Sequence, residues 1–171
     1  EAARQFHLKR PEAGIDILLV DVEDYGSKSD DNTFCLGTQY WAKNPHVPGY
    51  KANYGILLDM VGGRGNQFFM EGFSKQYAGT QMKMFWDAAN QLGYSDFFRY
   101  EDNGAFITDD HVPVNTIANI PTFDIIALQP NNNFATHWHT QNDNIDVIDK
   151  PTLKAVGQSL LQVMYNQPFG Y

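Results

Sequence analysis

Short aliphatic runs alternate along the chain with longer stretches in which apolar residues recur every three or four positions. Aliphatic runs bounded by glycine, asparagine or proline are typical of buried strands. They predict strands at 15–22, 54–61 and 123–128, with a further short strand at 106–107. The apolar periodicity predicts helices over 1–8, 37–42, 71–92 and 153–164, the last of them capped by Thr152. Because strands alternate with helices, the pattern favours an α/β sheet with helices packed on both faces.

Acids and histidines gather where the predicted strands end. Polar residues fill 23–34 and 129–144, which are predicted loops. In open α/β sheets, sites lie beyond the carboxyl ends of the strands. The candidates near strand ends are Glu23 and Asp24, Asp59, the triplet Asp109-Asp110-His111, and the triplet His137-Trp138-His139. We therefore expect these side chains to lie along one edge of the sheet.

Asp59 is the least expected of these acids, because it lies inside an aliphatic run. A buried carboxylate is costly unless it is paired or bound to a cation. Carboxylate and imidazole groups together suit Zn²⁺, which takes oxygen and nitrogen ligands. In an adjacent pair such as Glu23 and Asp24, one carboxylate can bind the metal while the other moves protons.

The candidates also have structural interpretations that the residues alone leave open. An acid after a strand is typical of a helix cap or a solvated turn. His111 fits a hydrogen-bonded structural histidine, and His137 fits a solvated loop residue. Cys35 has no activating histidine pattern around it, so it is not predicted to be a nucleophile.

Composition and charge narrow the classes of function. The 171 residues suit one domain with a sizeable core, and 43% of them are hydrophobic. Twelve Lys and Arg against twenty Asp and Glu give a net charge of −8, without the basic cluster that binds nucleic acid or an anionic membrane. A single cysteine excludes an internal disulfide and a cysteine-rich zinc module. No apolar run approaches the roughly 20 residues of a membrane span.

Five short segments, in this order, resemble motifs of a known family. They cover 18–24, 37–41, 57–62, 108–113 and 138–143. Together they look like the zinc-dependent glutaminyl-peptide cyclotransferases of the animal type, and most of all like the bacterial branch found in Bacteroidetes. These cyclases share a fold with the M28 zinc aminopeptidases. The resemblance covers nearly the whole chain and implies a three-layer α-β-α fold with a mixed, mostly parallel central sheet.

The resemblance implies catalytic and metal-binding roles for particular residues. Glu23 matches the general acid/base of the family. Asp24 and His139 match two zinc ligands, with Asp24 standing where animal cyclases have Glu. Asp59 and Asp109 match acids that form hydrogen bonds around the substrate amine and the proton path.

The resemblance also implies a substrate pocket and an activity. Trp138 matches its aromatic wall, Phe134 lines its entrance, and Asp110 belongs to the same substrate-binding set. The implied activity converts the N-terminal Gln of peptides or proteins to pyroglutamate and releases ammonia, with one zinc ion. The alternative is an aminopeptidase, in which Glu23 activates a zinc-bound water and Asp59 binds a second zinc.

Two features favour the cyclase over the aminopeptidase: the doubled acid at Asp109 and Asp110, and Trp138 directly before a histidine ligand. The family's third zinc ligand is an Asp that would lie upstream of Glu1. The resemblance therefore implies that residues 1–171 are a single catalytic domain, N-terminally truncated, from the C-terminal portion of a longer natural chain and inactive alone. The missing ligand also leaves open a metal-free binding module on the same fold. The bacterial relatives imply an extracytoplasmic location, either periplasmic or secreted.

Overall fold

The computed structural model describes residues 1–5, 14–27, 29–102, 104–129 and 131–166. Its helices are α1 (Ala2–Gln5), α2 (Leu36–Lys43), α3 (Gly72–Gln91), α4 (His111–Thr116) and α5 (Lys150–Asn166). Its strands are β1 (Gly55–Asp59) and β2 (Thr122–Ile126), and short 3-10 turns lie at Asp31–Thr33 and Ile145–Val147. None of the helices described in these ranges is long and apolar enough to cross a membrane.

Strands β1 and β2 lie side by side and run parallel, with Gly55 opposite Thr122 and Asp59 opposite Ile126. Helices α3 and α4 come between them in sequence and provide the crossover that a parallel pair requires. Glycine is needed at the start of β1, because a Cβ on Gly55 would lie 2.6 Å from the Thr122 Oγ1. The parallel pair confirms the predicted α/β fold and brings the carboxyl ends of both strands to one edge.

The two faces of the sheet are covered by different helices. Phe123 and Ile125 pack into an apolar cluster with side chains of α3 and α5. Fully buried aromatic rings form the centre of this cluster: Phe68, Phe85, Trp86, Phe98 and Phe123. Asp124 and Ile126 alternate with the inward residues of β2 and so point to the opposite face, which α4 contacts. The result is the predicted three layers, helix on sheet on helix.

Acidic side chains cap the two long helices. Glu71 caps α3, because its carboxylate accepts the N–H groups of Phe73 at 2.6 Å and Ser74 at 2.8 Å. Asp149 stands before α5 and accepts the N–H and the hydroxyl of Thr152 at 3.1 and 2.9 Å. The prediction that Thr152 itself caps α5 is therefore wrong, since its hydroxyl donates to the capping acid.

The strand predicted at 15–22 is wrong. This segment forms no strand, and its side chains lie largely in solvent, with Leu19 91% exposed and Ile17 66% exposed. In the ranges that the structure describes, the sheet contains β1 and β2 alone, so 15–22 has no strand to pair with. An aliphatic run favours a buried strand, but a strand also needs a neighbour for its backbone hydrogen bonds.

The short strand predicted at 106–107 is also wrong. The Ile107 N–H donates to the Glu71 carboxylate at 3.3 Å, so the start of α3 holds this segment. The other predicted strands and helices are confirmed with shifted ends, and the first helix is confirmed over Ala2–Gln5, since residues 6–8 lie outside the described ranges. Helix α4 is an addition. Pro113 stands in its first turn, where the missing N–H costs no intrahelical bond.

Candidate metal and acid–base site

The segment that carries Glu23 and Asp24 is held by the start of α2. Backbone N–H groups at residues 35–37 donate to carbonyl oxygens of 21–23 over 2.9 to 3.2 Å. These are N–H groups that a helix start leaves without an intrahelical partner. Glycine is required at 37, because a Cβ there would lie 2.4 Å from the Asp21 carbonyl oxygen. The close approach fixes Glu23 and Asp24 beside the sheet edge.

Asp24 and His139 form a pair of donor atoms although 115 positions separate them. The Asp24 Oδ2 lies 2.9 Å from the His139 Nε2, and both side chains are about half exposed. Zinc bonds of roughly 2.0–2.2 Å place two ligand atoms of a tetrahedral ion about 3.3 Å apart. The observed 2.9 Å is hydrogen-bond distance, so the two atoms would have to move slightly apart to share an ion. Their types, one carboxylate oxygen and one imidazole nitrogen, fit the chemistry of a zinc site.

Three buried or half-buried acids lie beside this pair: Glu23, Asp59 and Asp109. Burial raises the pKa of Glu23 to about 7, with further contributions from the charges of Asp24, Asp110 and Asp59. Burial and then the charges of Asp59 and Glu23 raise the pKa of Asp109 to about 8. Burial also raises the pKa of Asp59. Acids that interact this strongly exchange protons as a group near neutral pH.

Cys35 faces the same cluster. Its sulfur and one oxygen each from Glu23 and Asp109 all lie within 4.8 Å of one another. Burial, followed by the charges of Asp110 and Asp109, raises the pKa of the Cys35 thiol. The thiolate is therefore disfavoured, in agreement with the prediction that Cys35 is not a nucleophile. These three atoms are a second donor set, distinct from Asp24 and His139.

Aromatic side chains line one side of the donor pair. The Trp138 ring stacks on the His139 ring with centroids 3.8 Å apart, and Phe134 lies 4.4 Å from Trp138. Phe134 packs in turn against buried Phe69 and Leu128. Trp138 remains 37% exposed, so part of its side chain is open to solvent. The two side chains predicted to form the wall and the entrance, Trp138 and Phe134, lie together beside His139, and those roles stay predictions.

The Asp110 side chain contacts the α2 region. It is 8% exposed, and its carboxylate lies beside the Thr38 hydroxyl and the Cys35 thiol of the α2 region. Burial raises the pKa of Asp110, and those two neighbours limit the rise. Its predicted part in substrate binding stays a prediction.

Backbone strain is concentrated at this site. Among the described residues, six non-glycine residues have left-handed φ angles, and four of them border the acids or the donor pair: Val22, Cys35, Met60 and His139. A β-branched residue such as Val22, at φ 56°, rarely adopts this conformation. Strained residues of this kind persist where the surrounding structure fixes them, which is common at functional sites.

Two buried acids near the site are not among the residues predicted from the sequence, Glu71 and Asp124. Asp124 lies inside an aliphatic strand, the same signal that singled out Asp59. Burial, and then the charges of Asp109 and Asp59, hold the pKa of Asp124 well above its usual range. Glu71 carries no such signal, because it reads as an ordinary helix cap. His137 lies in the turn before Trp138, as its loop interpretation predicts, and His111 is fully buried.

Comparison with known proteins gives a family and several relatives. The sequence pattern of peptidase family M28 matches residues 1–164. The glutaminyl-peptide cyclotransferase of Bothrops jararaca is 29% identical over 153 residues, which cover 81% of this chain and 38% of the relative. Glutaminyl cyclase from Bacteroides thetaiotaomicron, solved bound to N-acetylhistamine, is 49% identical with a TM-score of 0.93. A Zn-dependent exopeptidase from Parabacteroides distasonis is 48% identical with a TM-score of 0.91.

The match covers these relatives only in part. Each of the two structural comparisons covers 97% of this chain and 59% of the solved chain. The chain therefore spans under two thirds of the length of the proteins it resembles.

Proposed function

The chain belongs to peptidase family M28, and from that premise we propose that it acts as a glutaminyl cyclase. The proposed reaction converts the N-terminal glutamine of a peptide or protein to pyroglutamate and releases ammonia. The observation that carries the proposal is the position of Glu23, next to a donor pair that suits zinc and within a cluster of buried acids.

Glu23 is the proposed proton carrier. The substrate's α-amine attacks its own side-chain carbonyl, so that a ring C–N bond forms and the bond to the side-chain amide nitrogen breaks. Glu23 accepts a proton from the α-amine and returns it to the departing ammonia. Because the pKa of Glu23 is raised to about 7, this carboxyl can accept and donate a proton at neutral pH.

Asp24 and His139 are the proposed zinc ligands. A bound zinc ion supplies a Lewis acid that polarises the side-chain carbonyl of the substrate. We propose one ion, because Asp59 lies among acids whose raised pKa values suit a proton path. In this scheme Asp59 and Asp109 accept hydrogen bonds from the protonated substrate amine. The similarity to the cyclases named above supports the scheme.

Trp138 and Phe134 are the proposed wall of the substrate pocket. The rings stack next to His139, where they would pack against the glutamine side chain and exclude water. Exclusion of water favours cyclisation, since the nucleophile is the substrate's own amine. A pocket lined by acids also suits a cationic amine.

An exopeptidase is the second candidate, and the similarity to the Zn-dependent exopeptidase favours it. The same Glu23 would then activate a water molecule, and Asp59 would bind a second zinc ion. The two candidates differ in their product. A peptide that begins with Gln loses one ammonia to a cyclase, whereas it loses its whole first residue to an exopeptidase.

Mass spectrometry of the products separates these outcomes. The protein, as its gene encodes it, is loaded with zinc and incubated with a peptide that begins with Gln. We expect loss of a single ammonia with the rest of the peptide intact. Release of free glutamine would overturn the cyclase proposal.

We also propose an extracytoplasmic location, which cell fractionation of the source organism would test.

A further inference from the structure

Glu71 is a buried carboxylate that lies outside the donor pair and the acid cluster. Its side chain is fully buried and accepts hydrogen bonds from Phe73 N at 2.6 Å, Ser74 N at 2.8 Å, Ser74 Oγ at 2.5 Å and Ile107 N at 3.3 Å. The fifth contact is the His111 Nε2, which lies 3.2 Å from the carboxylate at ion-pair distance but without the geometry of a hydrogen bond. Burial alone would raise the pKa of Glu71, but His111 and Ser74 outweigh burial and lower it. Glu71 is therefore ionised at neutral pH.

Two of the five contacts reach beyond α3. Ile107 and His111 stand on either side of Asp109, so one carboxylate holds both ends of the turn that carries this acid. A helix cap needs only the N–H groups at the helix start. Helix capping does not explain the two additional contacts of Glu71, to Ile107 and His111.

Asp109 needs such an anchor for an electrostatic reason. Its carboxylate lies with those of Glu23 and Asp59. Burial and these charges raise the pKa of Asp109 to about 8, so like-charge repulsion acts on it as the pH rises toward that value. Its own bond within the turn runs from the Asp110 N–H to the Asp109 Oδ1, at 2.5 Å. Repulsion would rotate the turn away from the cluster unless the flanking residues were fixed.

We propose that Glu71 is a positioning residue, which holds Asp109 in the acid cluster through Ile107 and His111. This inference rests on the proposed function, in which Asp109 assists at the substrate amine. Asp124 lies on the other side of His111, with its Oδ2 4.0 Å from the His111 Nδ1. Glu71 is the nearer of the two carboxylates and so makes the closer contact with the imidazole.

The test removes the contact to His111 while preserving volume. His111→Met fills the buried space and has no donor for Glu71, whereas His111→Gln retains an N–H that can reach it. Glu71→Gln keeps the shape of the cap but removes its charge, and serves if His111→Met does not fold. Asn115→Ser is the matched control, because Asn115 also joins α4 to β2, with bonds of 2.7 to 2.9 Å to the backbone of His111 and Thr122.

Hydrogen exchange of backbone amides, measured by NMR, reports the order of the turn that carries Asp109. The Asp110 N–H exchanges slowly as long as it is bonded to the Asp109 carboxylate, and the Trp86 N–H, in the middle of α3, reports unfolding of the core. In His111→Met we expect exchange at Asp110 to accelerate at least tenfold more than exchange at Trp86. In His111→Gln and Asn115→Ser we expect the two amides to change together.

Turnover provides the second measurement. In His111→Met we expect kcat for pyroglutamate formation to fall about tenfold, with KM within twofold. In Asn115→Ser, kcat stays within twofold of wild type. Parallel changes at Asp110 and Trp86 in His111→Met, or the same selective change in Asn115→Ser, would overturn the role of Glu71. A wild-type protein that forms no pyroglutamate would contradict the proposed function alone, because the exchange measurement needs no turnover.

Discussion

The two faces of the central sheet differ in the side chains that they bury. On one face, Phe123 and Ile125 pack among fully buried aromatic rings of α3 and the loops beside it. On the other, Asp124 and the edge residue Asp59 meet Asp109 and Glu23, all with raised pKa values. One sheet thus stabilises the fold through apolar contact on one side and holds costly acids on the other. Variants on the two faces are expected to separate stability from chemistry.

The largest effect is expected on the acid face, from Glu23→Gln. The variant keeps the size of the side chain and leaves Asp24 and His139 in place, but it cannot carry a proton. Cyclase kcat should fall by roughly 10²–10⁴-fold, the usual contribution of a general acid/base, with zinc affinity retained. Steady-state kinetics and zinc titration measure the two quantities. The control is Asp21→Asn, at an exposed acid in the same segment, which should change neither kcat nor zinc affinity. Near-wild-type turnover of Glu23→Gln would show that Glu23 is not the proton carrier.

A substitution on the apolar face is expected to lower the free energy of unfolding. Trp86 is fully buried, and its Nε1 donates to the Arg99 carbonyl at 2.9 Å. Trp86→Ala should lower the free energy of unfolding by about 3–5 kcal/mol, because it leaves a large cavity. Urea denaturation measures the loss. Trp41→Ala, at a less buried ring, should cost less, and equal losses would show that the core is not centred on Trp86.

Substitution of an acid at the site is expected to stabilise the protein, the opposite of Trp86→Ala. The pKa of Asp109 is raised to about 8 in the folded protein, so between about pH 4 and pH 8 the folded state retains a proton that the unfolded state releases. Stability therefore falls as pH rises through this window. Asp109→Asn should remove part of this slope and stabilise the protein at pH 8 by on the order of 2 kcal/mol.

The measurement is urea denaturation at pH 5 and pH 8 with a metal chelator present. Asp146→Asn, at an exposed acid of the second 3-10 turn, is the control and should leave the slope unchanged. If Asp109→Asn destabilised the protein equally at both pH values, like-charge crowding at the sheet edge would not be the source of the pH dependence.

The smallest effect is expected at the aromatic wall. Trp138→Ala removes the ring that stacks on His139 and should raise KM about tenfold, equivalent to about 1.4 kcal/mol of binding. Zinc affinity should change less, because both donors remain. Kinetics and zinc titration test this, with Tyr100→Ala as the control at an exposed aromatic on the α3 side. An unchanged KM would exclude Trp138 from the pocket.

The sequence predicts the sheet because its signals are local, and local signals also single out the candidate site residues, whose roles stay predictions. An acid inside an aliphatic strand indicated Asp59, and short motifs indicated Glu23, Asp24 and His139, although Glu23 and Asp24 follow a segment that forms no strand. Their meeting depends on long-range contacts, such as the 115 positions between Asp24 and His139, which only the resemblance anticipated. The strand at 15–22 failed because a strand needs a partner that its own composition does not specify. The positioning role proposed for Glu71 could not be predicted from the sequence for the same reason, because its contacts to Ile107 and His111 are tertiary.

In the proposed site, Asp24 and His139 bind the metal, whereas Glu23 and its neighbouring acids move protons. A crystal structure with anomalous scattering measured at the zinc edge tests this most directly. We expect an anomalous peak within roughly 2.0–2.2 Å of the Asp24 Oδ2 and the His139 Nε2, with Glu23 unligated. A peak held instead by Glu23, Cys35 and Asp109 would contradict it, because the proposed proton carrier would then be a metal ligand.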